Sequence, residues 1–345
     1  MTAPSYRRRN RFLARLGLCA AGGLVVGGLL AIPFSGDDGA GSVGSTTVAA
    51  ATTIGGAAST PTTLVPLVVP TTPASTAAST TVDPTSTAIT AAPPTTTAAT
   101  DLPTIPGVDA PAYVVMDADT GKVLAGSNAD EQRAVGSLMK LLTAYVVMQA
   151  GDPDKTVTVP KLDVIKDESI IGLAPGMQYD RALLLRALLV VSAGDAAQAL
   201  AVDVGGDEAT FVDQMNQAAR ALGLTNTVAA NETGLDADGA HSSATDMADL
   251  ARVLMQDPTF RDTVDNQSAK LFGKTIPATN RPFLAGYVGA TGVKTGHTTQ
   301  AGYSLAASAT RDGRNLIAVV LGTPSSAART AQAEAALDWG FAQGA

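Results

Sequence analysis

Ser137-Leu138-Met139-Lys140 sets a hydroxyl and an amine three residues apart, at the start of a strongly apolar stretch. If the stretch is helical, both side chains lie on one face, so the amine can activate the hydroxyl without a histidine. Much later in the chain stands Lys294-Thr295-Gly296. A serine and a lysine at this spacing recur by chance in a chain of this length, but the later three-residue motif completes a catalytic pattern with them.

The segment 137–150 is apolar on nearly every side and stops at Gly151, which predicts a central, buried helix. The dipole and the free N–H groups of its first turn favour negative charge that develops at Ser137. Burial disfavours the ammonium form of Lys140, so we expect its pKa to fall toward the range of a general base. The alternative is that Lys140 extends to solvent and Ser137 only caps the helix.

Strands are predicted at both ends of the C-terminal part of the chain, with helices between them. Alternating segments flank Asp119-Thr120-Gly121 and Asp312-Gly313, which predicts two hairpins. Because hairpins pair antiparallel, we expect an α/β fold of the α+β kind, a mainly antiparallel sheet with helices on both faces. The predicted strands are 113–118, 122–127, 302–310 and 314–321, and the predicted helices are 137–150, Asp180 to about Val191, one capped by Asp195, 207–222, 243–256 and about 324–341.

The first 34 residues indicate export or membrane anchoring. Five arginines, the last of them Arg15, precede an uncharged apolar run over 16–34. The run is long enough to span a bilayer, and the arginines predict that 1–15 stay cytoplasmic while the rest is exported. We expect 16–34 to be a retained signal-anchor rather than a cleaved signal peptide, so the rest is extracytoplasmic and tethered to the membrane. Cys19 is the single cysteine, so no disulfide is available.

Residues 35–106 consist mainly of Thr, Ala, Ser and Pro with few charges. Such a segment cannot bury enough apolar surface to offset its ordering entropy, which predicts a disordered linker with a root-mean-square reach of roughly 45 Å. Residues 107–345 then form one globular domain. The net charge of −8 argues against nucleic-acid binding. No cluster of His, Cys and carboxylate residues has metal-ligand spacing, so neither a metal nor a cofactor is expected.

Ser192 lies between the two opening motifs on a predicted interhelical loop. With it, the chain resembles the low-molecular-mass penicillin-binding proteins, the serine D-alanyl-D-alanine carboxypeptidase family, whose signature combines S-x-x-K, a middle serine motif and K-T-G. The resemblance covers essentially all of the globular domain and implies the fold shared by D,D-peptidases and serine β-lactamases. The further stretches that carry it are 117–124, Asn231-Glu232-Thr233-Gly234-Leu235 and 294–303.

The resemblance also implies a role for each matching catalytic residue. Ser137 matches the nucleophile that becomes acylated, and Lys140 matches its general base. Ser192 matches the hydroxyl that passes protons toward the leaving group.

The implied substrate contacts come from the third motif. Lys294 and Thr295 would hold the terminal carboxylate of a peptide, and Gly296 would let the ligand backbone approach closely. The backbone N–H groups of His297 and Ser137 would form the oxyanion hole.

One position departs from the family pattern. The middle motif of the family is Ser-x-Asn, and this chain has Ser192-Ala193-Gly194. Loss of one positioning side chain lowers a rate by on the order of 10²-fold without abolishing it. Asp195, which follows, is expected to cap the next helix.

The implied function is removal of the terminal D-alanine from peptidoglycan stem peptides that end in D-Ala-D-Ala, through an acyl-enzyme on Ser137, with β-lactam antibiotics as covalent inhibitors. A weakened relative that binds peptidoglycan or a partner is the alternative that Gly194 motivates. A β-lactamase, with Glu232 to activate water, is less favoured. Transfer of the acyl group to another amine stays open. We also expect the chain to lack the C-terminal domain and amphipathic anchor that many relatives carry.

Overall fold

The computed structural model describes residues 102–163 and 168–344. In this part of the chain, strands lie at both ends and helices fill the middle, as the sequence predicts. The strands are β1 (Ala112–Asp117), β2 (Val123–Ser127), β3 (Thr156–Thr158), β4 (Gln178–Asp180), β5 (Ser268–Leu271), β6 (Lys274–Pro277), β7 (Ala290–Thr298), β8 (Gly302–Arg311) and β9 (Arg314–Thr323). The helices are α1 (Lys140–Gln149), α2 (Arg181–Val190), α3 (Gly194–Gly205), α4 (Glu208–Ala221), α5 (Ala244–Leu254), α6 (Pro258–Val264), α7 (Arg281–Gly286) and α8 (Ser326–Ala342).

The main sheet has the strand order β2-β1-β9-β8-β7, and all of its neighbours are antiparallel. Both predicted hairpins are present as β1–β2 and β8–β9. The two hairpins join where β1 pairs with β9, with Ala112 opposite Leu321. The prediction of an antiparallel sheet built from both ends of the domain is confirmed.

Helices cover both faces of this sheet. Because side chains of a strand alternate between its faces, β1 contributes to two separate cores. Val114 and Met116 face the core that includes α1 and α5. Tyr113 and Val115 face the core that includes Leu337 of α8. Burial of each such side chain stabilises the fold by about 1.5–3 kcal/mol, so both layers hold the sheet in place.

The segment that the sequence predicts as one helix begins as a tight 3-10 turn, Gly136–Met139, and continues as α1. Gly136 has a φ of +56°, a left-handed conformation that glycine adopts without a steric penalty. Leu141 and Leu142 are fully buried, which confirms the prediction of a central helix. Ser137 therefore lies on the turn that leads into α1.

Two short helices, two short strand pairs and the edge strand β7 are absent from the elements that the sequence predicts. Asp257-Pro258 directly follows the predicted helix 243–256 and begins α6. The carboxylate of Asp257 accepts a hydrogen bond from the N–H of Phe260 at 2.9 Å, and proline occupies the first turn. β3–β4 and β5–β6 have three or four residues a strand, too few to show an alternating pattern.

The predicted cytoplasmic segment 1–15 and signal-anchor 16–34 lie outside the described residues, as does nearly all of the predicted linker. Close to the predicted domain boundary, Ile105 is buried and its N–H donates to the hydroxyl of Tyr113 at 2.6 Å. Packing onto the sheet thus begins slightly before residue 107. Among the residues that the structure describes, no helix combines the length and apolar character needed to cross a bilayer.

Candidate active site

The turn that carries Ser137 lies directly against β7, the edge strand that carries the third motif. Two glycines permit this approach. A Cβ atom on Gly296 would lie 2.4 Å from the carbonyl oxygen of Val135, and one on Gly136 would lie 2.9 Å from the backbone nitrogen of His297. Real Cβ atoms do not come this close, so the two backbones meet only because these positions are glycine. The structure thus brings Ser137 and the third motif together.

Lys140 is fully buried and donates three hydrogen bonds. Its Nζ lies 2.9 Å from the Oγ of Ser137, 3.1 Å from Oε2 of Glu168 and 2.7 Å from the carbonyl oxygen of Thr233. The alternative in which Lys140 extends to solvent is therefore wrong. Burial lowers the pKa of Lys140 from its usual value, and the negative charge of Glu168 acts in the opposite direction.

Lys294 is the second fully buried lysine of the site. Its Nζ lies 2.8 Å from the Oγ of Ser192 and 2.8 Å from the carbonyl oxygen of Thr295. Burial holds the pKa of Lys294 well below its usual value, and the positive charge of Lys140 acts in the same direction. Each buried lysine thus contacts one serine hydroxyl, Lys140 that of Ser137 and Lys294 that of Ser192.

Ser192 occupies the short connection between α2 and α3, as the sequence predicts. Its φ is +62°, a left-handed conformation that is costly for a residue with a side chain. Backbone strain of this kind persists where the surroundings enforce it. Here, the buried contact with Lys294 holds the hydroxyl at the site.

The remaining residues of the third motif lie along β7. The Oγ1 of Thr295 donates to the Oγ1 of Thr279 at 2.8 Å. The carbonyl oxygen of Gly296 accepts a hydrogen bond from Arg329 at 3.0 Å, which fixes the strand to α8. The side chain of His297 is exposed, with its ring 4.0 Å from that of Tyr303, so it points away from the buried lysines.

The stretch 231–235 forms a compact loop beside Lys140. The side-chain oxygen of Asn231 accepts hydrogen bonds from the N–H groups of Thr233, Gly234 and Leu235. This loop presents the Thr233 carbonyl to Lys140. Glu232 is buried beneath it, and burial raises its pKa to about 7.

Two acidic residues of the site differ from what the sequence predicts. Asp195 does not cap α3, since it lies inside that helix and its carboxylate accepts hydrogen bonds from the N–H groups of Ile171, Gly172 and Leu173. Glu168, which sequence reasoning did not identify, contacts Lys140. No local pattern marks Glu168, because its partner is distant in the chain and meets it only in the fold.

A sequence profile of the D-alanyl-D-alanine carboxypeptidase family matches residues 96–325. The chain belongs to the D-alanyl-D-alanine carboxypeptidase family. It is 39% identical over 256 residues to the D-alanyl-D-alanine carboxypeptidase DacC of Escherichia coli (strain K12), an alignment that covers 71% of this chain and 64% of that protein. The chain thus spans less than two thirds of the length of this curated relative.

Solved structures agree with the assignment to the D-alanyl-D-alanine carboxypeptidase family. Penicillin binding protein 6B from Escherichia coli has a TM-score of 0.65 and 38% identity, and the match covers 69% of this chain and 79% of that one. Penicillin-Binding Protein D2 from Listeria monocytogenes, solved in an ampicillin-bound form, has a TM-score of 0.61 and 29% identity, with coverage of 67% and 97%. The predicted family and its fold are confirmed.

Proposed function

We propose that this chain is a serine D-alanyl-D-alanine carboxypeptidase that removes the terminal D-alanine from peptidoglycan stem peptides. The observation that carries the proposal is the 2.9 Å contact between the Oγ of Ser137 and the Nζ of Lys140, inside a buried cluster that also holds Lys294 and Ser192. Membership of the D-alanyl-D-alanine carboxypeptidase family supports the same substrate class.

In the acylation step, Ser137 is the nucleophile and Lys140 is its base. A neutral Lys140 amine takes the hydroxyl proton as the Oγ atom bonds to the carbonyl carbon of the penultimate D-alanine. Burial favours the neutral amine, so the environment of Lys140 suits this step. The proton taken by Lys140 then passes through Ser192, which accepts a hydrogen bond from Lys294, to the leaving nitrogen as the C–N bond breaks. Water hydrolyses the resulting ester and releases Ser137.

Substrate binding in this proposal relies on β7. Lys294 and Thr295 offer a positive charge and a hydroxyl to the terminal carboxylate of the peptide. The backbone N–H groups of His297 and Ser137 stabilise the oxygen anion of the tetrahedral intermediate. The close approach of β7 to the 3-10 turn supports this role, because it places the two backbones side by side.

β-Lactams are proposed as covalent inhibitors that acylate Ser137, by analogy with the ampicillin-bound Listeria protein. We also propose that the domain works outside the cytoplasm, tethered to the membrane through 16–34 and the linker 35–106. The support for this location is the run of arginines before an apolar segment of membrane-spanning length.

Two measurements on the purified full-length chain test the activity. We expect release of D-alanine from a pentapeptide ending in D-Ala-D-Ala, and a stable mass increase after exposure to penicillin. Ser137→Ala should lose both. Absence of D-alanine release together with absence of an adduct would contradict the proposal.

The same measurements address the other functions. Gly194 favours a weakened relative that binds peptidoglycan, which predicts retention on peptidoglycan without an adduct. A β-lactamase would release hydrolysed drug rapidly instead of holding the adduct. Addition of an amine acceptor separates hydrolysis from transfer, because transfer yields a new amide product.

A further inference from the structure

The third hydrogen bond of Lys140 goes to a carboxylate that the proposed mechanism does not use. Glu168 has a side chain that is only 6% exposed, and its Oε2 lies 3.1 Å from the Nζ of Lys140. A carboxylate withdrawn from water is costly unless it is paired, so this contact fixes both side chains. We propose that Glu168 is a positioning residue that holds the Lys140 amine against Ser137, a role that rests on the proposed acylation chemistry.

The start of α3 holds the backbone that carries Glu168. The N–H of Gly194 donates to the carbonyl oxygen of Ser169 at 2.8 Å. The carboxylate of Asp195 accepts hydrogen bonds from the N–H groups of residues 171–173, which follow in the same segment. The bond from Gly194 is a direct backbone contact between α3 and this segment. Gly194, the position that departs from the Ser-x-Asn pattern, is thus one of the points at which α3 binds the segment that carries Glu168.

The charges around Lys140 show how Glu168 affects the pKa of its amine. Burial disfavours the ammonium form of Lys140, whereas Glu168 and Glu232 both favour it. Arg329 adds further positive charge next to Lys294. Among the charged side chains that the structure describes, Glu168 is the only one that forms a hydrogen bond with Lys140. Removal of its charge should therefore make the amine easier to deprotonate.

The geometry favours a positioning role over activation of a hydrolytic water. Oε2 of Glu168 accepts from Lys140, and Oε1 accepts from the N–H of Ser169 at 3.2 Å. Each carboxylate oxygen thus already has a donor. A carboxylate held in this way orients the lysine and balances its charge.

The primary test measures the titration of Lys140 directly, with no need for turnover. Full-length chain labelled with ¹³C-lysine is titrated by NMR, and the Lys140 signal is assigned from its loss in Lys140→Arg. We expect Glu168→Gln to lower the titration midpoint of Lys140 by about one pH unit or more, because an opposite charge at this distance shifts a pKa by about 1–3 units. Glu131→Gln, which removes an exposed carboxylate, is the matched control and should leave the midpoint unchanged.

A second measurement follows the rate of penicillin adduct formation on Ser137 across pH. In Glu168→Gln, the acidic limb should move to lower pH, and in Glu168→Ala, the plateau rate should also fall by about 10-fold or more because the amine is no longer held. Glu168→Asp, which keeps the charge, should keep the limb near that of the wild type. Circular dichroism checks that each variant is folded.

The outcomes separate this inference from the proposed function. An unchanged Lys140 midpoint in Glu168→Gln would overturn the positioning role, even if the wild type forms adducts. A wild type that neither releases D-alanine nor forms an adduct would overturn the proposed function, while the NMR titration would still decide whether Glu168 governs Lys140. Normal acylation with loss of only adduct hydrolysis in Glu168→Gln would instead assign Glu168 to water activation and contradict the proposal.

Discussion

Gly296 determines how closely β7, the proposed substrate-binding strand, approaches Ser137, the proposed nucleophile. Its missing side chain leaves room for the carbonyl oxygen of Val135 and the backbone of Leu138. Any added atom must push β7 away from the 3-10 turn, and a misplacement of about 1 Å is enough to slow an enzyme by on the order of 10²-fold. Together with Gly136, this position thus sets the spacing between β7 and the 3-10 turn.

Gly296→Ala should therefore impair both stability and acylation. Overpacking of this kind costs about 1–3 kcal/mol, and we expect penicillin to label the variant at least about 10-fold more slowly. Thermal melts and adduct mass spectrometry measure the two effects. Gly286→Ala is the matched control, because a Cβ at Gly286 meets nothing within 4 Å and its φ is not positive. Equal behaviour of the two variants would show that the close approach does not matter.

Local contacts of the site were predictable from sequence, and distant ones were not. Ser137 and Lys140 lie one turn apart, so the sequence places both side chains on one face, and the fold buries Lys140 against Ser137 at 2.9 Å. Lys294 and Ser192 were found through motif resemblance and not through any local physical rule. Glu168 had neither kind of signal, and only the folded backbone shows that it reaches Lys140.

At the scale of elements, helix caps connect sequence to stability. Ser325 precedes α8, and its Oγ accepts a hydrogen bond from the N–H of Ala328 at 3.1 Å. This bond satisfies one of the first-turn donors that a helix otherwise leaves free. α8 covers one face of the sheet, so its first turn contributes to the stability of that layer.

Two adjacent serines give a matched pair for this prediction. Ser325→Ala should lower the free energy of unfolding by about 1 kcal/mol, which corresponds to roughly 2–4 °C in melting temperature for a domain of this size. Ser326→Ala removes the next exposed hydroxyl, which is outside the cap position, and should change the melting temperature much less. Equal melting temperatures for the two variants would contradict the capping role.

Elements with long periodic patterns were predicted well, because their burial follows from the pattern. α4 and α5 begin directly after Asp207 and Ser243, the first residues of the predicted helices 207–222 and 243–256, and both side chains cap their helix. Asp180 does precede α2, but its side chain makes no capping hydrogen bond. α6 and α7 were missed because seven and six residues are too few to show a 3.6-residue period.

At the scale of the whole molecule, buried carboxylates make stability depend on pH. Burial raises the pKa of Glu232 from 4.5 to about 7, and the nearby charge of Glu208 adds to the shift. Between these two values, the unfolded chain releases a proton that the folded chain keeps. The contribution of Glu232 to stability is therefore largest below about pH 4.5 and declines as pH rises toward 7.

Glu232→Gln should remove this decline. The difference in melting temperature between the variant and the wild type should increase from about pH 4.5 to 7 and then stay constant. Each kcal/mol of unfolding free energy that the variant gains should raise its melting temperature by about 2–4 °C. Asp249→Asn is a second test, because burial raises the pKa of Asp249 to about 6. The increase in melting temperature of this variant over the wild type should therefore be complete at about pH 6 rather than 7. Melting-temperature differences between variant and wild type that do not vary with pH would contradict this link between the pKa of the carboxyl groups and stability.

The position of β9 between β1 and β8 has a consequence for how the domain is made. As the chain is synthesised from its N-terminus, the β1–β2 hairpin has no place in the main sheet until β9, the last strand, has emerged. Such long-range pairing carries the entropy of closing a very long loop, so it comes late in folding. Ser137 appears early in synthesis and Lys294 late, and the sheet that aligns them is complete only when β9 is inserted. A nascent or truncated chain without β9 thus lacks the assembled site, because Ser137, Lys140 and Lys294 are not yet held together.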